Sequence, residues 1–185
     1  MEFKFQKRRG IGTVITTLII LIASVVLGAG VIFFGGSLFQ TNTENEAIQV
    51  SNTHIWVSSN GTASVAGFAV QNTGGKVVSI QSITIRGQSV PTTSWYYNTT
   101  AATAANVQRE LKSDFSLSTI EVTGDATPEP FALATGPISL TQGKAAFIYL
   151  ANPAGITAID SGLAFTMNVQ AGKASAVQSI SVING

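Results

Sequence analysis

Apolar and polar positions divide the chain into two parts with different periods. Across Ile11–Phe39, 17 of 29 residues are Val, Ile, Leu or Phe; there is no Pro, and apolar residues fall on every side of a helical wheel. From residue 47 onward the period is two, broken by frequent turn signals. The first pattern predicts a helix that is apolar all round and must therefore be buried all round. At about 1.5 Å per residue it is roughly 43 Å long, more than the ~30 Å hydrocarbon core of a bilayer. Leaving its large apolar side chains in water would cost on the order of 25–50 kcal/mol as an upper bound. Water is not its environment. Small residues interrupt the run at Gly12, Ala23, Ser24, Gly28, Ala29, Gly30, Gly35 and Gly36, and Ser24 with Gly28 gives a small-xxx-small spacing that lets helices approach closely. The pair Gly35-Gly36 predicts a fray or hinge near the helix end.

The second pattern predicts short strands. Residues 54–58 read as a short strand and are followed by Asn60-Gly61, a strong hairpin signal. Residues 64–71 form the next candidate, closed by Asn72-Thr73-Gly74-Gly75. In residues 77–86 the alternation breaks once, at Gln81-Ser82, which predicts a bulge. Further candidates are residues 120–123, 131–133, 138–140, 145–150, 163–170 and 175–183. Residues 94–117, with Trp95-Tyr96-Tyr97 at their start, read as a long loop holding about one helical turn, and 123–130 as a Gly/Pro loop. The expected fold class is α+β: a long N-terminal hydrophobic helix followed by an antiparallel Ig-like β-sandwich, a lollipop architecture. The stretch Phe68-Ala69-Val70-Gln71-Asn72-Thr73-Gly74 is similar to a strand and turn of many Ig-like surface modules. Residues 40–46 are a polar linker, and 47–185 the exported domain.

Charge sharpens this division. The chain has 185 residues, ten Lys+Arg, nine Asp+Glu, one His and no Cys, with 10% charged residues and a mean hydropathy of +0.33. A net charge of +1 excludes a strongly basic nucleic-acid binder. Lys4, Lys7, Arg8 and Arg9 crowd the first nine residues, and no ionisable side chain follows until Glu44. Basic residues before an apolar span predict a cytoplasmic N-terminus and an exported remainder. The exported part is itself poor in charge, with 14 charged side chains in residues 40–185.

Three fates compete for the apolar segment. A secretory signal would be cut near Gly28-Ala29-Gly30, although its h-region is usually only about 7–15 residues. An uncleaved anchor would keep everything. The third fate is a cut before the run that retains the helix, and it rests on a resemblance. Lys7-Arg8-Arg9-Gly10, followed by Ile11-Gly12-Thr13-Val14 and a long apolar helix, resembles the class III signal of archaeal type IV pilin-like proteins. The likeness covers roughly the first 40 residues. It implies cleavage by a prepilin peptidase between Gly10 and Ile11, recognition of Lys7, Arg8 and Arg9, and loss of residues 1–10 as signal peptide. A mature chain of 175 residues would remain. Bacterial pilins carry Glu at the fifth mature position, and here that position is Ile15.

The resemblance further implies a structural subunit of a cell-surface filament for adhesion. Its helix, Ile11–Phe39, would serve as membrane anchor in the precursor and then pack with identical subunits through Ile11, Val14, Leu18, Leu21, Val25, Gly28, Ile32 and Phe33. A prepilin peptidase, an assembly ATPase and a membrane platform protein would be partners during assembly. An archaellin of the motility filament is the alternative within this class. A monomeric membrane-anchored extracellular binding module is the alternative from another.

Enzyme chemistry finds no footing in the sequence. His54 is the sole histidine, there is no Cys for the usual zinc sites, and G-x-S-x-G and P-loop motifs are missing. No metal, cofactor or nucleic acid is expected. Asp125 and Glu129 share a loop but lack EF-hand spacing. Two sequons mark Asn60 and Asn98 as candidate N-glycosylation acceptors. With ten Asn and 39 Ser+Thr, about two sequons arise by chance, so their number carries no weight.

Overall fold

The computed structural model describes residues 7–43, 45–99, 102–103, 107–120, 129–153 and 155–185. The chain divides into two units, Met1–Thr43 and Glu44–Gly185. The first is a single helix, α1, spanning Lys7–Thr43. It runs without a break through Gly28, Gly30 and the Gly35-Gly36 pair, where a hinge is expected from composition. Each glycine costs about 1 kcal/mol against Ala in a water-exposed helix. Away from water, an opened turn would instead strand backbone donors and acceptors at several kcal/mol each, so continuity wins.

Strands supply most of the regular structure of the second unit among the described residues: β1 (Ile48–Val57), β2 (Ser64–Asn72), β3 (Val78–Ile85), β4 (Gln88–Ser89), β5 (Trp95–Asn98), β6 (Thr119–Ile120), β7 (Glu129–Pro130), β8 (Ala132–Leu133), β9 (Ile138–Leu140), β10 (Ala145–Ala151), β11 (Ala164–Ala171) and β12 (Ala174–Asn184). The α+β class therefore holds. Ten of these strands join one sheet in the order β4-β3-β11-β12-β1-β2-β10-β5-β8, with β9 also on β3, while β6 and β7 pair separately. The sheet is curled into a half-barrel. All its pairings are antiparallel except β1–β12, which is parallel with His54 opposite Ser181 and Val57 opposite Asn184.

Curling lets inward side chains from both halves of the sheet meet in one core, among them Ile55, Phe68, Ile148, Ile80, Met167 and Ile180. A second apolar cluster lies on the opposite face of β1, β2 and β10. There Trp56, Val65, Phe147 and Tyr149 are covered by Val107 and Leu111 of the segment after β5. The central strands are thus buried on both faces, which is why β2 and β10 read as near-continuous apolar runs with no alternation. In β3 the opposite holds. Ile80 and Ile83 both face the core because Gln81 is extra in the ladder, with Gln170 opposite Ser82 and Ala171 opposite Ile80. This is the bulge that Gln81-Ser82 predicts.

Two turns fix the start of the unit. The side chain of Asn72, wholly buried, donates through Nδ2 to the carbonyls of Lys76 (2.7 Å) and Leu140 (2.9 Å) and accepts the N–H of Gly74 at 3.0 Å. Gly74 lies so close to the chain at 45–47 that a Cβ there would sit 2.4 Å from the Asn45 carbonyl oxygen. β1 bulges between Ser51 and His54, with Asn52 in the left-handed region at φ 53°. The Asn52 side chain donates to the carbonyls of Val107 (2.8 Å) and Arg109, tying the covering segment to the sheet.

The indole of Trp56 stacks on the Tyr149 ring at 5.9 Å between centroids and 13° between planes, lying over Gly67. A Cβ at Gly67 would meet Trp56 Cζ3 at 2.6 Å. Gly67→Ala is therefore expected to destabilise the unit by about 1–3 kcal/mol through overpacking. Urea unfolding followed by tryptophan emission measures it, and an unchanged midpoint would show that the indole does not occupy that slot.

Candidate functional site

The helix surface is the feature of this chain that water does not tolerate. Ile11–Phe39 is long and apolar enough to cross a membrane, and none of its large apolar side chains is buried within the structure. Its large side chains range from 53% exposed at Ile22 to 82% at Phe33. Such a helix near the N-terminus is compatible with a membrane or cell-surface location.

Four of the five hydroxyls in this run bond within the helix itself. Thr16 donates to the Gly12 carbonyl at 2.8 Å, Thr17 to Val14 at 2.9 Å, Ser24 to Leu21 at 2.9 Å and Ser37 to Phe34 at 3.0 Å. Each hydroxyl is satisfied within one turn of its own backbone. The glycines leave gaps: nothing approaches a Cβ placed at Gly12, Gly28, Gly30, Gly35 or Gly36.

The residues expected to pack in a filament core fall in order along this helix. Ile11, Val14, Leu18, Leu21, Val25, Gly28 and Ile32 are spaced alternately three and four apart, so they share one stripe that drifts about 20° per seven residues. Phe33 lies beside it. A shallow, wholly apolar groove lined by Ile19, Ile22, Ala23, Val26 and Leu27 runs along another face. Apolar surface suited to packing thus exists on more than one side of the helix. The backbone at Lys7, Arg8, Arg9 and Gly10 is helical and continuous with the run, so the Gly10–Ile11 bond lies inside the first turns of α1. Residues 1–6 lie outside the described residues.

In the β unit, chemistry-bearing residues are scattered. His54, half-buried in β1, has its ring 5.9 Å from Trp56, and Nδ1 is 3.4 Å from the Ser181 hydroxyl. No group of three or more His, Cys, Asp or Glu comes together among the described residues. Asp125 lies outside them, as does most of its loop. Arg86 reaches Asp160 at 3.6 Å and covers the Phe165 ring at 4.9 Å, a surface arrangement that trims an aromatic edge. One cleft of about 650 Å³ has Thr99, Ser139, Thr141 and Lys144 among its walls. A smaller one of about 250 Å³ lies between Gly61–Ser64 and the loop near Asn152. Neither gathers two ionisable side chains in its described walls.

The two sequons sit in different surroundings. Asn60 is exposed in the β1–β2 turn, where its Oδ1 accepts the hydroxyls of Ser58 (2.6 Å) and Thr62 (2.7 Å). Asn98 closes β5, is only 8% exposed, and donates through Nδ2 to the Pro130 carbonyl at 2.8 Å. Trp95 of the aromatic triplet is buried, its indole N–H bonded to the Val90 carbonyl at 3.1 Å, and Tyr96 and Tyr97 are half-buried. These aromatics belong to the core.

Sequence reasoning passed over three determinants: Asn72 as a buried junction, Gly67 as the seat of Trp56, and Glu46 as an anchor for Lys173. Asn72 carried a local signal, a turn motif after an apolar strand. The partners of Gly67 and Glu46 are distant in sequence and left none. No protein-family model matches this chain, and no curated protein matches it.

Proposed function

We propose that this chain is a structural subunit of an archaeal type IV pilin-like cell-surface filament, used for adhesion. The observation that carries the reading is the 29-residue span of α1, apolar on every face and with four of its hydroxyls bonded internally, set immediately after Lys7-Arg8-Arg9-Gly10. In this reading a prepilin peptidase cuts between Gly10 and Ile11. An assembly ATPase and a membrane platform protein then move the subunit from the cytoplasmic membrane into the filament. The stripe from Ile11 to Ile32 packs against identical helices, and apolar burial and close van der Waals contact replace lipid. The curled sheet is read as an Ig-like sandwich, its two halves serving as layers on the exported side, with a structural and non-enzymatic role.

A lone anchored binding module makes the opposite forecast at one measurable point. N-terminal sequencing and intact mass of surface material are expected to give a chain starting at Ile11, present in filaments by electron microscopy. A chain starting at Met1 with no filaments would sink the proposal.

A further inference from the structure

We infer that β1 and β12 form a shear clamp that carries tension arriving at residue 45 of the β unit. The source of that tension in the cell rests on the filament reading; the clamp does not. β1 is the first strand of the unit, yet it lies in the interior of the sheet, with β2 along one edge and β12 along the other. A strand at the rim of a sheet, pulled at its end, peels away one rung at a time. A strand held on both edges and pulled lengthwise must break its rungs together, and in a parallel pair those rungs are evenly spaced along the line of pull.

The start of β1 is tied before any ladder is loaded. The N–H of Gly75 donates to the Asn45 carbonyl at 2.9 Å, and those of Thr73 and Gly74 to Ala47 at 3.0 and 3.1 Å. The Lys173 N–H donates to the Glu46 carboxylate at 2.6 Å, joining the head of β1 to the β11–β12 hairpin. Between these ties and the paired stretch from His54 to Val57, the Thr53 hydroxyl bonds the Ser179 carbonyl at 2.8 Å. Gly185 closes the far end through its N–H to the Val57 carbonyl at 3.1 Å. Sliding β1 lengthwise would also drag the Trp56 indole out of the slot above Gly67 and off the Tyr149 ring.

The chain has no cysteine, so introduced cysteines give unique handles for single-molecule force measurements on the full chain in detergent. Thr43→Cys with Asn184→Cys, an exposed position at the C-terminal end of β12, loads β1 and β12 in opposite directions along their length. Thr43→Cys with Lys173→Cys loads the same two strands at adjacent ends and unzips them. At equal loading rate, the first pair is expected to rupture at roughly twofold higher force or more, since all rungs then share one barrier to forced unfolding. Equal forces, or the reverse order, would overturn the clamp. Lys173 and Ser175 are both exposed, and Ser175→Cys replaces Lys173→Cys if that variant does not fold. Matching urea midpoints for the two pairs establish that only the direction of pull differs. A chain that shows the force ratio but never appears in filaments overturns the filament reading alone.

Discussion

On the proposed cut, Gly10→Val is expected to leave the whole population at 185 residues, held in the membrane, and the unaltered chain to accumulate at 175. The scissile bond of the proposed cut lies within the helical backbone of α1, so a peptidase must open that turn to reach it. Glycine is the residue at which opening a helical turn is cheapest, by about 1 kcal/mol relative to Ala, and it offers no side chain against an approaching backbone. Valine removes both advantages and adds a β-branch beside the carbonyl to be attacked. The uncut chain keeps Lys7, Arg8 and Arg9 ahead of the apolar run. In the filament proposal these charges would have to enter an apolar core, at up to about 2.5–3.5 kcal/mol each, the cost at the centre of an apolar span, which disfavours assembly of the uncut chain. Intact mass separates the two forms, and isoelectric focusing gives a second readout, because cleavage takes the formal charge from +1 to −2 before counting the new amine. Normal trimming of the variant would place the cut elsewhere than Gly10–Ile11, and a full-length unaltered chain would return the segment to the uncleaved-anchor reading.

Asn72→Ala is expected to cost on the order of 2–6 kcal/mol, because the Lys76 and Leu140 carbonyls lose their Nδ2 donor, at about 1–3 kcal/mol each, while the Gly74 N–H keeps its second acceptor at Ala47. Against a typical total of about 5–15 kcal/mol, that is enough to unfold a large share of molecules near physiological temperature. Asn72→Asp is the sharper variant. It keeps the shape and still accepts from Gly74, but it turns an oxygen toward the Lys76 and Leu140 carbonyls where an amide now donates. It is expected to be no better than Ala and to lose further stability as its carboxyl ionises with rising pH. Both tryptophans, Trp56 and Trp95, lie in the β unit, so their emission during urea unfolding reports that unit without a contribution from α1. A midpoint within error of the unaltered chain would show that water satisfies these groups and that Asn72 is no junction.

The parts of the fold legible in the sequence are those decided by local chemistry. The apolar helix, the Asn60-Gly61 turn and the Gln81 bulge each follow from neighbouring residues, and the strands at residues 138–140, 145–150 and 163–170 fall within a residue or two of β9, β10 and β11. What the sequence hid depends on partners far along the chain. The first half of β1 is polar around Asn52 and Thr53 and is held by contacts with Val107 and Ser179. β5 falls in a stretch that reads as a loop, because Trp95-Tyr96-Tyr97 lacks alternation and takes its extended form from pairing with β10. The parallel β1–β12 pairing, which binds the head of the sheet to its last strand, has no local signature at all. For the candidate site, the apolar helix was readable outright from the run of Val, Ile, Leu and Phe. The contrast between an exposed Asn60 and a buried Asn98 was not, since it turns on where β5 and the Pro130 carbonyl meet.

The internally bonded hydroxyls of α1 bear on how the helix trades one medium for another. A serine that borrowed its partner from a neighbouring helix, or from a lipid headgroup, would make departure from that partner an uphill step. Thr16, Thr17, Ser24 and Ser37 take their acceptors with them. Moving such a helix from fatty-acyl chains into a bundle, or back again, breaks no polar bond, and the balance rests on how well side chains interlock. Under the filament proposal, entry of the helix into a bundle and its return to the bilayer would then be separated by a modest difference in packing and not by a wall of desolvation.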